Sequence, residues 1–485
     1  MLIYIALALP IIAGALTPLF RFKTMRARGI YVESVVLATS ALVAALLIGR
    51  NGERFDLYTI MDGMTLSFRV DGMGGAFAGL LAVLWPLATL YALEYMTHEE
   101  RPDSFFAFYT ISYGVTLAAA LAANMFTMYV FFECLTLATL PLVTHKRDAA
   151  SIHAGRKYVY FSISGAALGF IALVFMLTYG RTTDFTLGGV LDAERIVGKE
   201  GLLRFVFLLA FIGFGTKAAV FPMYAWLPAA SVAPTPVTAL LHAVAVVNTG
   251  AFAVLRLIYY SFGAQFLYGT LAQSIALGLC CFTIVFGSVM AVREQHIKRR
   301  LAYSTVSNLS YMLMGACLMT ADGMTGSVNH LLYHGVMKIT LFCCAGAIIV
   351  KSGREYVQDM RGMSRAMPFT CAVFMLGSIA LTGIPPLCGF VSKWNLLTAA
   401  AATGLPMGYV AIAALIISAV LTALYLFTIA APMYFSPLSG DMARCDPGWR
   451  MKLPLALMSV GMVLLGIFSQ PVVEFLRGVA AGLIY

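Results

Sequence analysis

Four ionisable side chains stand inside stretches that are otherwise apolar. Glu133 lies in MYVFFECLTLATLPL, Lys217 in GFGTKAAVFPMYAWLPAASVAPTP, Lys338 in NHLLYHGVMKITLFCCAG and Lys393 in GIPPLCGFVSKWNLL. A charge in hydrocarbon costs about 2.5–3.5 kcal/mol on insertion scales, so residues of this kind mark ion pathways by default. The bland reading of each is a structural ion pair, or a lysine reaching for the interface along its methylene stem. Four on separate stretches, two of them beside prolines, favour the pathway. His330, His334 and Lys338 are spaced four residues apart, so they drift by only about 40° per step and share one stripe of a helix. Two histidines at that spacing could hold a metal, but no third-ligand pattern accompanies them. Histidine titrates near neutral pH, and a lysine beside it can hold or release a proton, so the stripe reads better as a proton relay. A pair of hydrogen-bonded core histidines is the remaining alternative. His242, in VTALLHAVAVVNTG, is a further polar site of the same kind.

Prolines interrupt two of these stretches. Pro222 removes the N–H that would bond the carbonyl of Ala218, one residue past Lys217. Pro385 and Pro386 do the same to Leu381 and Thr382, a few residues before Lys393. Unpaired backbone at membrane depth is tolerated only where it is buried in protein or lines a wet cavity. Two broken helices, each with a lysine, in two halves of one chain point to an inverted-repeat transporter. The halves would be residues 106–261 and 267–432. Lys217 precedes its prolines and Lys393 follows its own, an order that inversion does not have to preserve.

The elements that position these residues follow from composition. The chain has 485 residues, 61% hydrophobic and 11% charged, against roughly 25% charged in a soluble domain. Mean hydropathy is +0.87. Apolar runs fall at 2–20, 29–48, 73–95, 106–125, 126–144, 159–179, 203–223, 236–261, 267–290, 301–320, 327–350, 367–390, 408–432 and 452–475. Each is near the ~20 residues that span a bilayer core as a helix. The expected fold is therefore an all-α polytopic membrane protein of fourteen transmembrane helices, with runs 7 and 12 broken and residues 1–485 forming one membrane domain. The first run lacks a basic leader and is followed by Arg21, Lys23, Arg26 and Arg28, which reads as a membrane helix rather than a cleaved signal.

The net charge of +10 follows the membrane rather than a nucleic acid. Loops after odd-numbered runs carry 20 Lys and Arg, and the even-numbered loops with the tail carry 7. That asymmetry puts both termini outside and HKRDAASIHAGRK in the cytoplasm. The nine cysteines form no CxxC and no metal spacing, and the pairs Cys280–Cys281 and Cys343–Cys344 sit in apolar runs as small hydrophobes. No Fe–S, haem or phosphate-loop pattern is present, so no cofactor and no catalytic redox site is expected in this chain.

The chain resembles the antiporter-like family shared by proton-pumping subunits of respiratory complex I, multisubunit Mrp-type cation/proton antiporters and membrane arms of energy-converting hydrogenases. The motifs that carry the resemblance are FFECLTLATLPL, GFGTKAAVFPMYAWLPAASVAPTPVTALLHA, IKRRLAYSTVSNLSYM, HLLYHGVMKITLF and LTGIPPLCGFVSKW, and it covers roughly residues 70–435. It implies fourteen helices, with helices 4–8 and 9–13 as inverted repeats. It also implies an acid–lysine pair at Glu133 and Lys217, a connection through His242, His330, His334 and Lys338, and an outer exchange site at Lys393. Asn248 in AVVNTGAF stands where many members have a lysine, and Ser231 where many have a histidine, so water or His242 would have to bridge the axis at Asn248. The chain resembles the shorter members, without the long lateral helix.

The function expected is H⁺ or Na⁺ translocation in a multisubunit complex of a prokaryotic cytoplasmic membrane, beside antiporter-like paralogues. Its driver would be a peripheral redox module whose Fe–S, Ni–Fe or flavin groups lie in partner subunits. The alternatives are a subunit of an Mrp-type Na⁺/H⁺ antiporter and, from another class, a non-transporting scaffold or quinone-site anchor.

Overall fold

Apolar sequence must satisfy its backbone internally, and the chain does so almost entirely as helix. The computed structural model describes residues 1–20, 22–49, 52–438 and 443–482. Arg21 and Arg50, two of the loop charges counted above, lie outside them. The first part runs α1 (Leu2–Leu16), α2 (Met25–Gly49), β1 (Arg54–Met61), β2 (Met64–Arg69), α3 (Gly72–Tyr95), α4 (Pro102–Ala120), α5 (Met125–Val143), α6 (Ala149–Tyr179) and α7 (Glu200–Gly215). A short α8 (Trp226–Ala229) leads to α9 (Thr235–Ala243), α10 (Val246–Arg256) and α11 (Ala264–Leu267). Then come α12 (Leu271–Arg293), α13 (Ile297–Cys317), α14 (Ala321–Ser352), α15 (Met363–Ala366), α16 (Pro368–Thr382), α17 (Cys388–Ala402), α18 (Pro406–Phe435), α19 (Trp449–Ile467) and α20 (Gln470–Ala480).

Among the described residues, ten helical segments are long and apolar enough to cross a membrane. Four of the fourteen runs, those of α4, α7, α13 and α16, fall outside the ten, and the last three have physical reasons to differ. α7 and α16 are cut short at 16 and 15 residues by the breaks that follow them. α13 is lined with Ser304, Thr305, Ser307, Asn308 and Ser310, all buried against other helices rather than facing lipid. The protein is a multi-pass membrane protein whose most polar helix lies inside it.

The core is built around α14, which packs on α3, α9, α13, α16, α17, α19 and α20. Its residues Gly323–Leu331 and Tyr333–Ile348 are all buried, as is every residue of α9 and α10. α2, α18 and α19 expose large apolar side chains, among them Ile48, Val420 and Ile467, as lipid-facing or subunit-facing helices would.

Three features correct the sequence reading. The chain is not all-α: β1 and β2 pair as an antiparallel hairpin across Asp62–Gly63, with Gly63 at φ +78°, the turn chemistry that Asp-Gly favours. The run 236–261 is not one helix but breaks between Ala243 and Val246, where Val244 and Ala245 leave helical geometry. The last run, 452–475, divides at Phe468–Ser469 into α19 and the amphipathic α20, because Pro471 restarts the helix at its first turn.

Candidate functional site

The first break forms because α7 has no good helix formers after Phe211. Gly213 and Gly215 end it, and the chain then turns through Ala219 at φ +55°. Lys217 therefore sits in the break itself, not inside the helix as expected. Its side chain is 1% exposed. The ammonium donates to the carbonyl of Phe132 on α5, lies 3.6 Å from the centroid of the Phe132 ring, and is 3.9 Å from Glu133 Oε1. That spacing is an ion pair without a hydrogen bond. The ring face and carbonyl supply negative density that leaves the ammonium stable while the carboxylate stands off. Gly250 at the start of α10 presses on this turn: a Cβ there would meet Ala218 N at 2.5 Å and Lys217 Cβ at 2.8 Å. Side chains take up the freed backbone groups. Trp226 Nε1 donates to the carbonyl of Thr216 at 2.8 Å, and Phe221 N donates to Thr283 Oγ1 at 3.1 Å.

The second break uses its lysine differently. α16 ends at Gly383, which adopts φ +94°. Lys393 Nζ, on α17, donates to the carbonyls of Leu381 at 2.8 Å and Thr382 at 3.0 Å. These are the two carbonyls whose helical partners would be the N–H groups of residues 385 and 386, both of them proline. The lysine thus caps the helix end, where the peptide dipoles present partial negative charge.

The third break, absent from the sequence reading, lies between α9 and α10. Asn248 Nδ2 donates to the carbonyl of Ala243 at 2.9 Å, so the residue that replaces an expected lysine closes the gap in the backbone. Neither Val244 nor Ala245 is a breaker by type. The nearest signal was the neighbouring amide, which can compete with a backbone donor.

Between the breaks runs the α14 stripe. His242, in the last turn of α9, packs against Phe342 of α14, with ring centroids 4.9 Å apart and the rings tilted by 31°. His330 and His334 have ring centroids 5.9 Å apart, and His330 Nδ1 is 3.0 Å from Ser392 Oγ of α17. Lys338 donates to the carbonyl of Leu301 at 3.0 Å and to Ser304 Oγ on α13. The Tyr311 ring joins the two ends of this part of the site, 5.4 Å from His330 and 5.5 Å from Lys393 Nζ. Both ring nitrogens of His242 and of His334 are buried without a hydrogen-bond partner among the described residues. The fold thus gathers Glu133 with Lys217, and His330 and Lys393 around Tyr311, with His334 beside His330. No hydrogen bond among the described residues joins Lys217 to His242, or His242 to His334. No group of three or more metal-ligating side chains occurs among the described residues either.

Sequence reading missed three participants. Tyr311 Oη donates to Ser418 Oγ at 2.6 Å, and Ser288 and Ser307 complete a buried hydroxyl cluster across α12, α13 and α18. Lys298, counted as a loop charge, is 6% exposed and donates to the carbonyl of Ala233 at 2.9 Å. Arg256 is fully buried, pairs with Asp71 Oδ2 at 2.7 Å and lies among the rings of Phe185, Phe252 and Tyr260. The hydroxyls of STVSNLSYM were visible in the sequence, but their partners on other helices were not.

Comparison with known proteins bears on the whole arrangement. Residues 122–422 match the family described as NADH:quinone oxidoreductase/Mrp antiporter, TM. The chain is similar to NADH-quinone oxidoreductase subunit N of Desulforudis audaxviator (strain MP104C), 30% identical over 84% of this chain and 82% of that one. It is also similar to hydrogenase-4 component B of Escherichia coli (strain K12), 32% identical over 68% of this chain and 50% of that one, so it spans about half of that relative's length. In fold it resembles a chain of the Mrp complex from Dietzia sp. DQ12-45-1b, with a TM-score of 0.84 at 21% identity over 99% of this chain and 97% of that chain.

Proposed function

The chain belongs to the NADH:quinone oxidoreductase/Mrp antiporter transmembrane family as an antiporter-like membrane subunit, and from that premise we propose that it moves protons along one buried axis from Glu133–Lys217 to Lys393. The observation that carries the reading is Lys217. An ammonium sealed at a helix break, 3.9 Å from a carboxylate that does not hydrogen-bond it, is poised to change partner or protonation at small structural cost. Opening of that pair would shift charge toward His242 and the His330–His334–Lys338 stripe, and Lys393 would exchange with the outside. Asn248 keeps the axis intact by holding the third break, while the charge passes by way of His242.

The same reading gives fourteen spans in two inverted units, 106–261 and 267–432, in a prokaryotic cytoplasmic membrane. The termini lie outside, and loops 145–157 and 291–300 inside because of their four basic residues each. Moving one charge against 100 mV costs about 2.3 kcal/mol, so the energy comes from partners. A redox module in a complex I-like or hydrogenase assembly is the favoured driver, since the two relatives named above at 30% identity or more carry oxidoreductase and hydrogenase names. Any Fe–S, Ni–Fe or flavin group would belong to such a module. The fold likeness to an Mrp complex supports the second reading, a subunit of a gradient-driven cation/proton antiporter in which Na⁺ joins the exchange.

Lys217→Arg, measured in the intact complex reconstituted in liposomes, is the decisive test. Arginine keeps the charge but does not release its proton. Loss of pumping with normal assembly is expected, and near-normal pumping would leave Lys217 a structural ion pair.

A further inference from the structure

Glu33 is a further ionisable side chain inside an apolar run, and the relay does not use it. It stands on α2, eight residues past Met25, which is about 12 Å into the helix. One carboxyl oxygen, Oε2, is buried without a hydrogen-bond partner among the described residues. The side chain as a whole is half-buried, so the carboxyl sits where the packed side of α2 meets its open side. No ion pair reaches it among the described residues. Arg28, the nearest basic residue along α2, is taken by Asp103 of α4. Tyr109 of α4 lies within electrostatic reach, but its hydroxyl is also without a partner among the described residues. A carboxyl at membrane depth pairs with a counter-charge or a donor, and the described part of this chain supplies neither.

The open side of α2 has a character of its own. α2 is the least buried of the ten apolar spans. Val32, Val36, Thr39 and Val43 turn toward its own bundle and are buried. At 100° per residue the opposite side carries Ser34, Ala38, Ala41 and Ala45, all exposed. Leu37, one turn past Glu33, is 52% exposed beside them. The exposed positions of α18 and α19 are bulky instead, among them Ile416, Ile417 and Val420 on α18, and Leu457, Val460 and Leu464 on α19. Small residues let the backbone of a second helix come close within a membrane, and polar side chains then bond across the contact. The small side of α2 and the unpaired carboxyl at its margin thus ask for the same occupant.

We propose that this side of α2 seats one transmembrane helix of a neighbouring membrane subunit, and that this helix carries a lysine or arginine level with Glu33. The serine and alanines set how closely the two helices approach. The carboxyl sets their register, because a helix without a basic side chain at that level leaves Glu33 unpaired. Glu33 is then a fixed charge of the assembly, separate from the Glu133–Lys217 pair.

The experiment uses the intact complex in native membranes. A photoactivatable p-benzoylphenylalanine replaces Leu37, and the adduct is mapped by mass spectrometry. Cross-linking to one transmembrane helix of another subunit is expected, with a lysine or arginine within about one turn, or ~5 Å, of the adduct. Adducts with lipid alone, or with a helix that has no basic residue near that level, would overturn the proposal. Glu33→Lys, Glu33→Leu and Glu33→Gln are compared in parallel. The readout is the ratio of assembled complex to unassembled subunit on native gels, normalised to the amount of the chain in the membrane. Like charges across a contact are strongly unfavourable and an unpaired buried charge costs affinity. Glu33→Lys should therefore lower the ratio about tenfold or more and Glu33→Leu severalfold, while Glu33→Gln, which still accepts a hydrogen bond, should stay within about twofold. Reversing the charge of the partner's cross-linked basic residue should restore assembly of Glu33→Lys. A leucine variant that assembles as well as the unsubstituted chain would place α2 against lipid and overturn the docking surface. If Glu33→Lys does not reach the membrane, the leucine and glutamine ratios decide.

Discussion

The two proline breaks look alike in sequence and differ in what holds their lysines. At the first, Lys217 faces a carboxylate at 3.9 Å, an aromatic ring and a carbonyl of another helix. At the second, Lys393 has no carboxylate within ion-pair distance among the described residues, and bonds two carbonyls at the end of the helix its own break created. The first ammonium is balanced by a formal charge that can move away or be neutralised. The second is balanced by backbone dipoles that are fixed. In the proposed relay the ion pair that opens is therefore the one at the Glu133–Lys217 end, and Lys393 exchanges with the outside against partners that stay in place.

The largest effect expected is on transport, and it should be shared: Lys217→Ala and Lys393→Ala both abolish coupled transport in reconstituted complex. Their effects on stability should separate them. Lys393→Ala strips the donor from the carbonyls of Leu381 and Thr382, at about 1–3 kcal/mol for each buried group left unsatisfied. Lys217→Ala leaves the Phe132 carbonyl, which lies within a helix, and Glu133, whose side chain is 28% exposed. The Lys393 variant should thus show the lower thermal midpoint, and Lys393→Gln, which keeps an amide donor, should recover stability without recovering transport. Equal midpoints for the two alanine variants would erase the distinction drawn here.

Glu133→Gln should come next, slowing transport without unfolding the subunit. Glu133 is 28% exposed, and glutamine still presents a dipole to Lys217. A transport rate equal to wild type would remove the acid from the mechanism. Smaller again are the two glycines. Gly250→Ala drives a methyl group into Ala218 N and Lys217 Cβ, an overpacking cost of about 1–3 kcal/mol. Gly383→Ala adds a left-handed residue at φ +94°, at about 1–2 kcal/mol. Because Gly383 ends α16 beside the bonded carbonyls, its substitution should disturb the Lys393 end alone, and a thermal scan with a transport assay on each variant would show whether the ends are separable.

The smallest effect lies outside the membrane spans. His296 caps α13 through Nδ1, which accepts from Lys298 N at 3.2 Å, while Nε2 lies 3.3 Å from Glu355 Oε2. Burial holds this imidazole below its ordinary value, against an opposing pull from Glu355. The folded state therefore binds fewer protons than the unfolded one. The stabilisation is complete above the ordinary histidine value near 6.5 and fades as pH falls through the lower folded value. His296→Asn, which retains a capping oxygen, should flatten the decline of the thermal midpoint between pH 7 and 5. An unchanged profile would place that pH dependence in other groups, such as His145, which burial also lowers.

Much of this was legible in the chain because the signals are local. A lysine in an apolar run, a proline that deletes a defined donor, and histidines four residues apart state their chemistry without knowledge of neighbours. That is why Glu133, Lys217, His242, His330, His334, Lys338 and Lys393 could be named, and why the carbonyls of Leu381 and Thr382 could be marked as freed. What took the place of those lost donors depended on packing. Nothing in GIPPLCGFVSKW says that Lys393 would bond the helix preceding its own, and nothing in AVVNTGAF says that Asn248 would close a break at two residues with no breaking propensity.

By itself, then, the sequence determined that the chain spans a membrane many times and carries titratable groups at depth, because hydrophobic run length and charge cost are properties of single segments. Only the tertiary structure decided which groups meet: Phe132 under Lys217, Tyr311 between His330 and Lys393, and the hydroxyls of Ser288, Ser307 and Ser418 from three helices. These contacts join residues from about 20 to more than 100 positions apart. They exist because helices forced together by a common buried face align side chains that no local periodicity relates.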